Sequence, residues 1–200
     1  MWWLTIGAVV VLVAAWWFLD RGPDVAIVGD SITFVSTDQI RHELGRDFDP
    51  DIAAVMGITA GQAIPAAQAT AGGDPAQAVL NLGSNDVLHN VALTQTAKDL
   101  GTLVATFPRA RCIHIVNINE AMTDSGRPVR ARAALLNAAI AKLAASDPRI
   151  SVIDWNRTVA VDIAAHPPAG TLVDDTVHPA LAGRTVLARQ IRAALDSCKE

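Results

Sequence analysis

Val25-Ala26-Ile27-Val28-Gly29-Asp30-Ser31 runs from four consecutive apolar residues straight into a Gly-Asp-Ser turn. An unbroken apolar run of this length, without polar alternation, reads as a strand buried on both faces. Four more largely apolar runs follow, three of them with one polar residue inside: Ile52-Ala53-Ala54-Val55, Ala78-Val79-Leu80-Asn81-Leu82, Cys112-Ile113-His114-Ile115-Val116 and Ile150-Ser151-Val152-Ile153. Between them lie helical candidates at roughly 32–45, 61–71, 91–106, 130–146 and 180–197. In the last, Leu181, Val186, Leu187, Ile191 and Leu195 recur close to the helical period. Strands alternating with helices predict an α/β chain with a mostly parallel sheet of about five strands covered on both faces, a three-layer α/β/α sandwich. Functional groups are then expected beyond the carboxyl ends of the strands. The stretch 117–128 is the longest predicted loop, and Pro167-Pro168-Ala169-Gly170 opens another.

Ahead of this domain, residues 1–19 carry no ionisable side chain. As a helix rising about 1.5 Å per residue they would span about 30 Å, the thickness of a bilayer's hydrocarbon core. Trp2-Trp3 and Trp16-Trp17 bracket the segment as interfacial belts do. The expectation is one N-terminal transmembrane helix in 1–21 tethering a domain in 22–200. A cleaved signal peptide is the alternative, with Val13-Ala14-Ala15 before the cut but no Lys or Arg ahead of the apolar core. Asp20 and Asp24 flank Arg21, so charge says little about orientation; the domain is expected to be extracytoplasmic.

The whole chain of 200 residues is 51% hydrophobic and 18% charged, with a mean hydropathy of +0.30. Its net charge of −4 and the lack of any Lys/Arg run argue against a nucleic-acid partner. The two cysteines, Cys112 and Cys198, cannot make a zinc site; two unpaired thiols is the simpler reading, one disulfide the other. No Gly-x-Ser-x-Gly elbow, phosphate-binding loop or dinucleotide fingerprint occurs, and no metal-ligand spacing, so no cofactor is expected.

Three motifs fall at structural junctions: Gly29-Asp30-Ser31 after the first strand, Gly83-Ser84-Asn85-Asp86 after the third, and Asp175-Thr176-Val177-His178-Pro179 before the last helix. A serine hydroxyl attacks an ester carbonyl only with a base beside it, and imidazole suits that base because it titrates near neutrality. A carboxylate three residues before the histidine can hold the far ring nitrogen. Alone, Ser31 could cap the following helix, Asn85 and Asp86 could form a turn, and His178 could be an ordinary helix-start residue. Their conjunction in this order favours chemistry. Asp86 is read as structural, and His42, His89, His114 and His166 as surface or packing residues.

These blocks, with Gly29-Asp30-Ser31-Ile32-Thr33 and Asp174-Asp175-Thr176-Val177-His178-Pro179 at the two ends, resemble the SGNH, or GDSL-type, hydrolase family over about residues 24–195. The resemblance implies a flavodoxin-like sheet in the order 2-1-3-4-5. It implies Ser31 as nucleophile, His178 as base and Asp175 as its orienting acid. The oxyanion donors would be the Ser31 N–H, the Asn85 amide and a glycine after the second strand, Gly61 in preference to Gly57. The expected reaction is hydrolysis of an ester through an acyl-enzyme. Short loops favour small acyl groups, and the small-ester substrate could be an acylated glycan. With Trp155 the single tryptophan beyond the apolar segment, and no tyrosine, a sugar-stacking platform has little support. A membrane-tethered O-acyltransferase acting on envelope glycans is the first rival and a non-catalytic binding domain the second.

Overall fold

The computed structural model describes residues 22–198; the apolar segment 1–21, expected as a membrane anchor, lies outside the described residues. Among the described residues no helix is long and apolar enough to cross a membrane. Asp24–Gly29 (β1), Asp49–Ala54 (β2), Gln77–Asn81 (β3), Cys112–Val116 (β4) and Ile150–Ile153 (β5) form a single parallel sheet. Its order is β2-β1-β3-β4-β5, with β3 at the centre, paired to β1 and β4. Every residue of β3 is buried, which is why Ala78, Val79 and Leu80 at its middle are apolar without alternation.

Among the described residues seven helices cover the sheet: Ser31–Leu44 (α1), Ala60–Ala71 (α2), Ser84–Leu88 (α3), Leu93–Ala105 (α4), Arg130–Ser146 (α5), Trp155–Ala165 (α6) and Leu181–Asp196 (α7). On one face Ala63, Ala67, Leu100, Leu103, Leu136 and Ile140 close over Leu80 and Ile115. On the other, Ile40, Leu44, Trp155, Val159, Leu187 and Ile191 close over Ile27 and Val79. Each fully buried Leu or Ile contributes about 1.5–3 kcal/mol. The two clusters thus hold helices on both sides of one sheet and leave the carboxyl ends of the strands open.

Sequence reading and structure part in several places, among them the short helix α3, which no helical candidate covered. β2 begins at Asp49-Pro50, earlier than its apolar run, because it is an edge strand where a proline costs no ladder bond. The stretch 117–128 contains a short antiparallel hairpin, Thr123–Asp124 with Arg127–Pro128. Helix α6 was not foreseen. Thr158, Val159, Val161 and Ile163 are β-branched and lower its intrinsic helicity, and its start signal is Asp154, whose carboxylate caps Arg157 N–H at 3.1 Å.

The reading of two unpaired thiols is corrected: Cys112 and Cys198 form a disulfide, with their Cα atoms 6.0 Å apart. The end of α7 packs beside the start of β4, with the Gln77 amide donating to Leu195 O at 3.3 Å, and this brings the two cysteines together. Closing a loop of 86 residues removes chain entropy from the unfolded state worth about 4–5 kcal/mol.

The same Gln77 amide fixes a buried histidine. With its nitrogen committed to Leu195, its oxygen accepts from His114 Nε2–H at 3.1 Å, so His114 Nδ1 accepts from the Ser151 hydroxyl at 2.7 Å. Burial pulls the His114 pKa down to about 4. Between pH 6.5 and 4 the unfolded chain therefore binds a proton that the folded chain refuses. Stability falls on acidification through that window, by an amount of the order of 3 kcal/mol. In urea unfolding across pH 4–7, the stability gap between wild type and His114→Gln should narrow as pH falls; a constant gap contradicts this account.

Candidate active site

Gly29 ends β1, and a methyl group there would run into the Thr33 side chain, so only glycine lets β1 turn directly into α1. Asp30 is the helix cap, its Oδ1 accepting from Ile32 N–H at 2.9 Å. Capping is thus taken by Asp30 and not by Ser31. The Ser31 hydroxyl, at the first helical position, is left for another partner. That partner is His178, whose Nε2 lies 2.9 Å from Ser31 Oγ across 147 residues of chain.

His178 sits on the loop between α6 and α7. Asp175 Oδ2 accepts from its Nδ1–H at 2.7 Å, while Oδ1 accepts the backbone N–H groups of His178 at 2.7 Å and Val177 at 3.1 Å. Burial alone would raise the Asp175 carboxyl, but these donors outweigh it and hold it below the usual carboxylate range. Asp175 therefore stays ionised, His178 carries its proton on Nδ1, and the Nε2 lone pair faces the serine hydroxyl.

The motif after β3 reaches the same end of the sheet. Gly83 has φ +116°, open to glycine, and turns β3 into the short α3 that carries Asn85. Asn85 Nδ2 donates to Ile58 O at 3.0 Å and lies 3.4 Å from Asp30 Oδ2. Asp86 beside it is fully buried, accepting from Ala60 N–H at 2.9 Å and the Thr96 hydroxyl at 3.1 Å, which ties the β2–α2 loop to α4. Gly61 lies in the first turn of α2, where a Cβ would come within 2.7 Å of the Asp99 carboxylate on α4; Gly57, with φ +74°, lies in the preceding loop. The structure thus brings Ser31, Asp175 and His178 into one hydrogen-bonded chain, puts Asn85 against Asp30, and places Gly61 on the adjoining helix.

Sequence reasoning assigned no role to two carboxylates that shape this site. Burial pushes Asp30 up to about 7, against the lowering effects of the Ile32 N–H and His178; its place inside the Gly-Asp-Ser motif was the available signal. Asp162 accepts from Leu172 N–H at 2.9 Å, the Thr171 hydroxyl at 2.9 Å and His166 Nδ1 at 2.9 Å, and so anchors the start of the histidine loop to α6. Burial would raise its carboxyl, but the Thr171 and Leu172 donors dominate and bring it down to about 2. Its signal was a carboxylate on the same buried stripe as Trp155 and Val159. Among the described residues no cluster of His, Cys, Asp or Glu could hold a metal ion.

The sequence pattern of the GDSL-like Lipase/Acylhydrolase family matches residues 27–186, most of the chain. The chain belongs to that family. Solved structures of GDSL-type and related hydrolases share its fold. LAE5, an alpha/beta hydrolase enzyme from the metagenome of Lake Arreo, Spain, is 20% identical with a TM-score of 0.74, over 90% of this chain and 98% of its own. The acetyl xylan esterase AlAXEase is 19% identical with a TM-score of 0.75, over 86% of this chain and 99% of its own. The C-terminal catalytic domain of the Streptococcus pneumoniae peptidoglycan O-acetyltransferase A is 20% identical with a TM-score of 0.68, over 89% and 94%. At these identities the likeness speaks for the fold alone. No curated protein matches the chain.

Proposed function

We infer that the chain is a serine esterase that hydrolyses short-chain acyl esters through an acyl-enzyme on Ser31. The observation that carries this reading is the 2.9 Å contact between Ser31 Oγ and His178 Nε2, with Asp175 bonded to the far nitrogen at 2.7 Å. As Oγ bonds to the ester carbonyl carbon, its proton passes to Nε2, and the ionised Asp175 stabilises the imidazolium. The carbonyl oxygen takes the negative charge. Its donors are the Ser31 N–H, the Asn85 amide and the Gly61 N–H. One Asn85 N–H is committed to Ile58 O; the other faces Asp30 across 3.4 Å, too long for a strong bond, and is available to an oxyanion. The imidazolium then protonates the departing alcohol. In the second half, His178 takes a proton from water, the hydroxide oxygen bonds to the acyl carbon, and Ser31 leaves with the proton.

The short connections after β1, β2, β3 and β5 favour an open site and small acyl groups. The chain is further proposed to be held at a membrane by residues 1–21, with the domain on the extracytoplasmic side. The Cys112–Cys198 disulfide supports this, because such bonds persist in oxidising compartments. Transfer of the acyl group to a glycan hydroxyl is the second reading, favoured by the shared fold with a peptidoglycan O-acetyltransferase domain. The test uses the chain trimmed to 22–200, which should be water-soluble and active, with aryl esters from acetyl to long-chain and with added glycan acceptors. kcat/KM should fall with chain length and acyl release should go to water. A preference for long chains, or transfer that outcompetes water, overturns the corresponding part.

A further inference from the structure

Thr176, between the acid and the base of the site, has φ +69°. A β-branched residue in the left-handed region is an outlier, and such a conformation persists only where its surroundings impose it. Here the surroundings are two residues from the β4–α5 loop. Asn119 Nδ2 donates to Thr176 O at 2.9 Å, Thr123 N–H donates to Thr176 Oγ1 at 3.0 Å, and the two threonine hydroxyls meet at 3.1 Å. Asn119 is 2% exposed, and its Oδ1 accepts from Ala121 N–H at 2.9 Å, so the amide has one orientation and its nitrogen must face Thr176.

The loop that grips Thr176 is itself braced. Ile118 N–H donates to Asn137 at 2.7 Å, and Glu120 N–H and Asn117 Oδ1 both bond Asn156 at 2.8 Å. A rigid clamp from one side of the sheet's open end therefore sets the backbone torsion of the residue that separates Asp175 from Val177 and His178. That torsion decides whether Asp175 Oδ1 reaches the Val177 and His178 N–H groups, and hence where Nε2 points.

We propose that Asn119 and Thr123 are positioning residues that act through Thr176 to aim His178 at Ser31. The proposal rests on the reading that Ser31 and His178 carry the reaction. Their clamp touches no reacting atom, so its loss should lower kcat and leave KM nearly alone. In Thr176→Val and in Asn119→Ala, kcat should fall about 10- to 100-fold with KM within about twofold, the cost of a small misplacement of a catalytic group. Thr176→Ser keeps the hydroxyl and should retain kcat within about threefold. The double variant Asn119→Ala/Thr176→Val should lose little more than the worse single variant, since both remove one device.

The experiment is steady-state hydrolysis of a short-chain aryl ester by these variants, each checked by its unfolding transition, with Ser31→Ala alongside. If Thr176→Val does not fold, Asn119→Ala applies the same test from the other side of the clamp. Folded variants with wild-type kcat, or losses confined to KM, overturn the clamp while leaving Ser31 in place. A fully active Ser31→Ala overturns the parent reading, and the clamp with it.

Discussion

Ser31→Ala lowers the turnover of a short-chain aryl ester by about 10⁴- to 10⁶-fold, because loss of the nucleophile leaves only oxyanion and binding contributions. Two structural facts make this a clean experiment. Helix α1 is capped by Asp30, so removing the Ser31 hydroxyl takes no capping bond from the fold. The one side-chain bond lost is the one to His178 Nε2. Stability should therefore change little, and the rate loss should be in kcat. A variant with near wild-type turnover would remove Ser31 from the chemistry.

Asn85→Ala should lower kcat by about 10²- to 10³-fold, the usual cost of one preorganised oxyanion donor. Its effect on KM should be smaller, since a donor aimed at developing charge is worth most in the transition state. The side chain also holds Ile58 O at 3.0 Å, so its loss also frees the β2–α2 loop from α3. Asn85→Asp preserves the side chain's shape but removes both amide donors, the one to Ile58 O as well as the one for the oxyanion, and sets a carboxylate against Asp30. Asn85→Asp should be at least as inactive as Asn85→Ala. Restored activity in Asn85→Asp would show that the amide donates nothing to the reaction.

Much of the architecture was legible because burial on both faces leaves a direct mark on sequence. The runs at 25–28, 78–82 and 112–116 are apolar but for the buried Asn81 and His114, because helices cover both sides of the strands they form, β1, β3 and β4. The site was legible for a different reason: its residues sit at turns where strands end, and each turn needs a special residue. Gly29 and Gly83 are required by the backbone, and Ser31 and Asn85 follow from their places.

What escaped sequence reading depends on distant partners. Helix α6 has weak intrinsic helicity and is held by Trp155 and Val159 packing under α7. The Cys112–Cys198 pairing is set by how the end of α7 meets the start of β4, which no local pattern encodes. The strained Thr176 and its clamp from Asn119 and Thr123 lie more than fifty residues apart in the chain, and a threonine carries no local sign of a left-handed backbone. Asp162 likewise acts on a loop that folds back onto its helix.

Labelling with a serine-reactive fluorophosphonate, followed by mapping of the modified peptide, tests the central claim most directly. The account predicts one phosphonyl adduct per chain, on Ser31, with labelling abolished or greatly slowed in His178→Ala. An adduct on another serine, or an active protein that takes no label at Ser31, would contradict it.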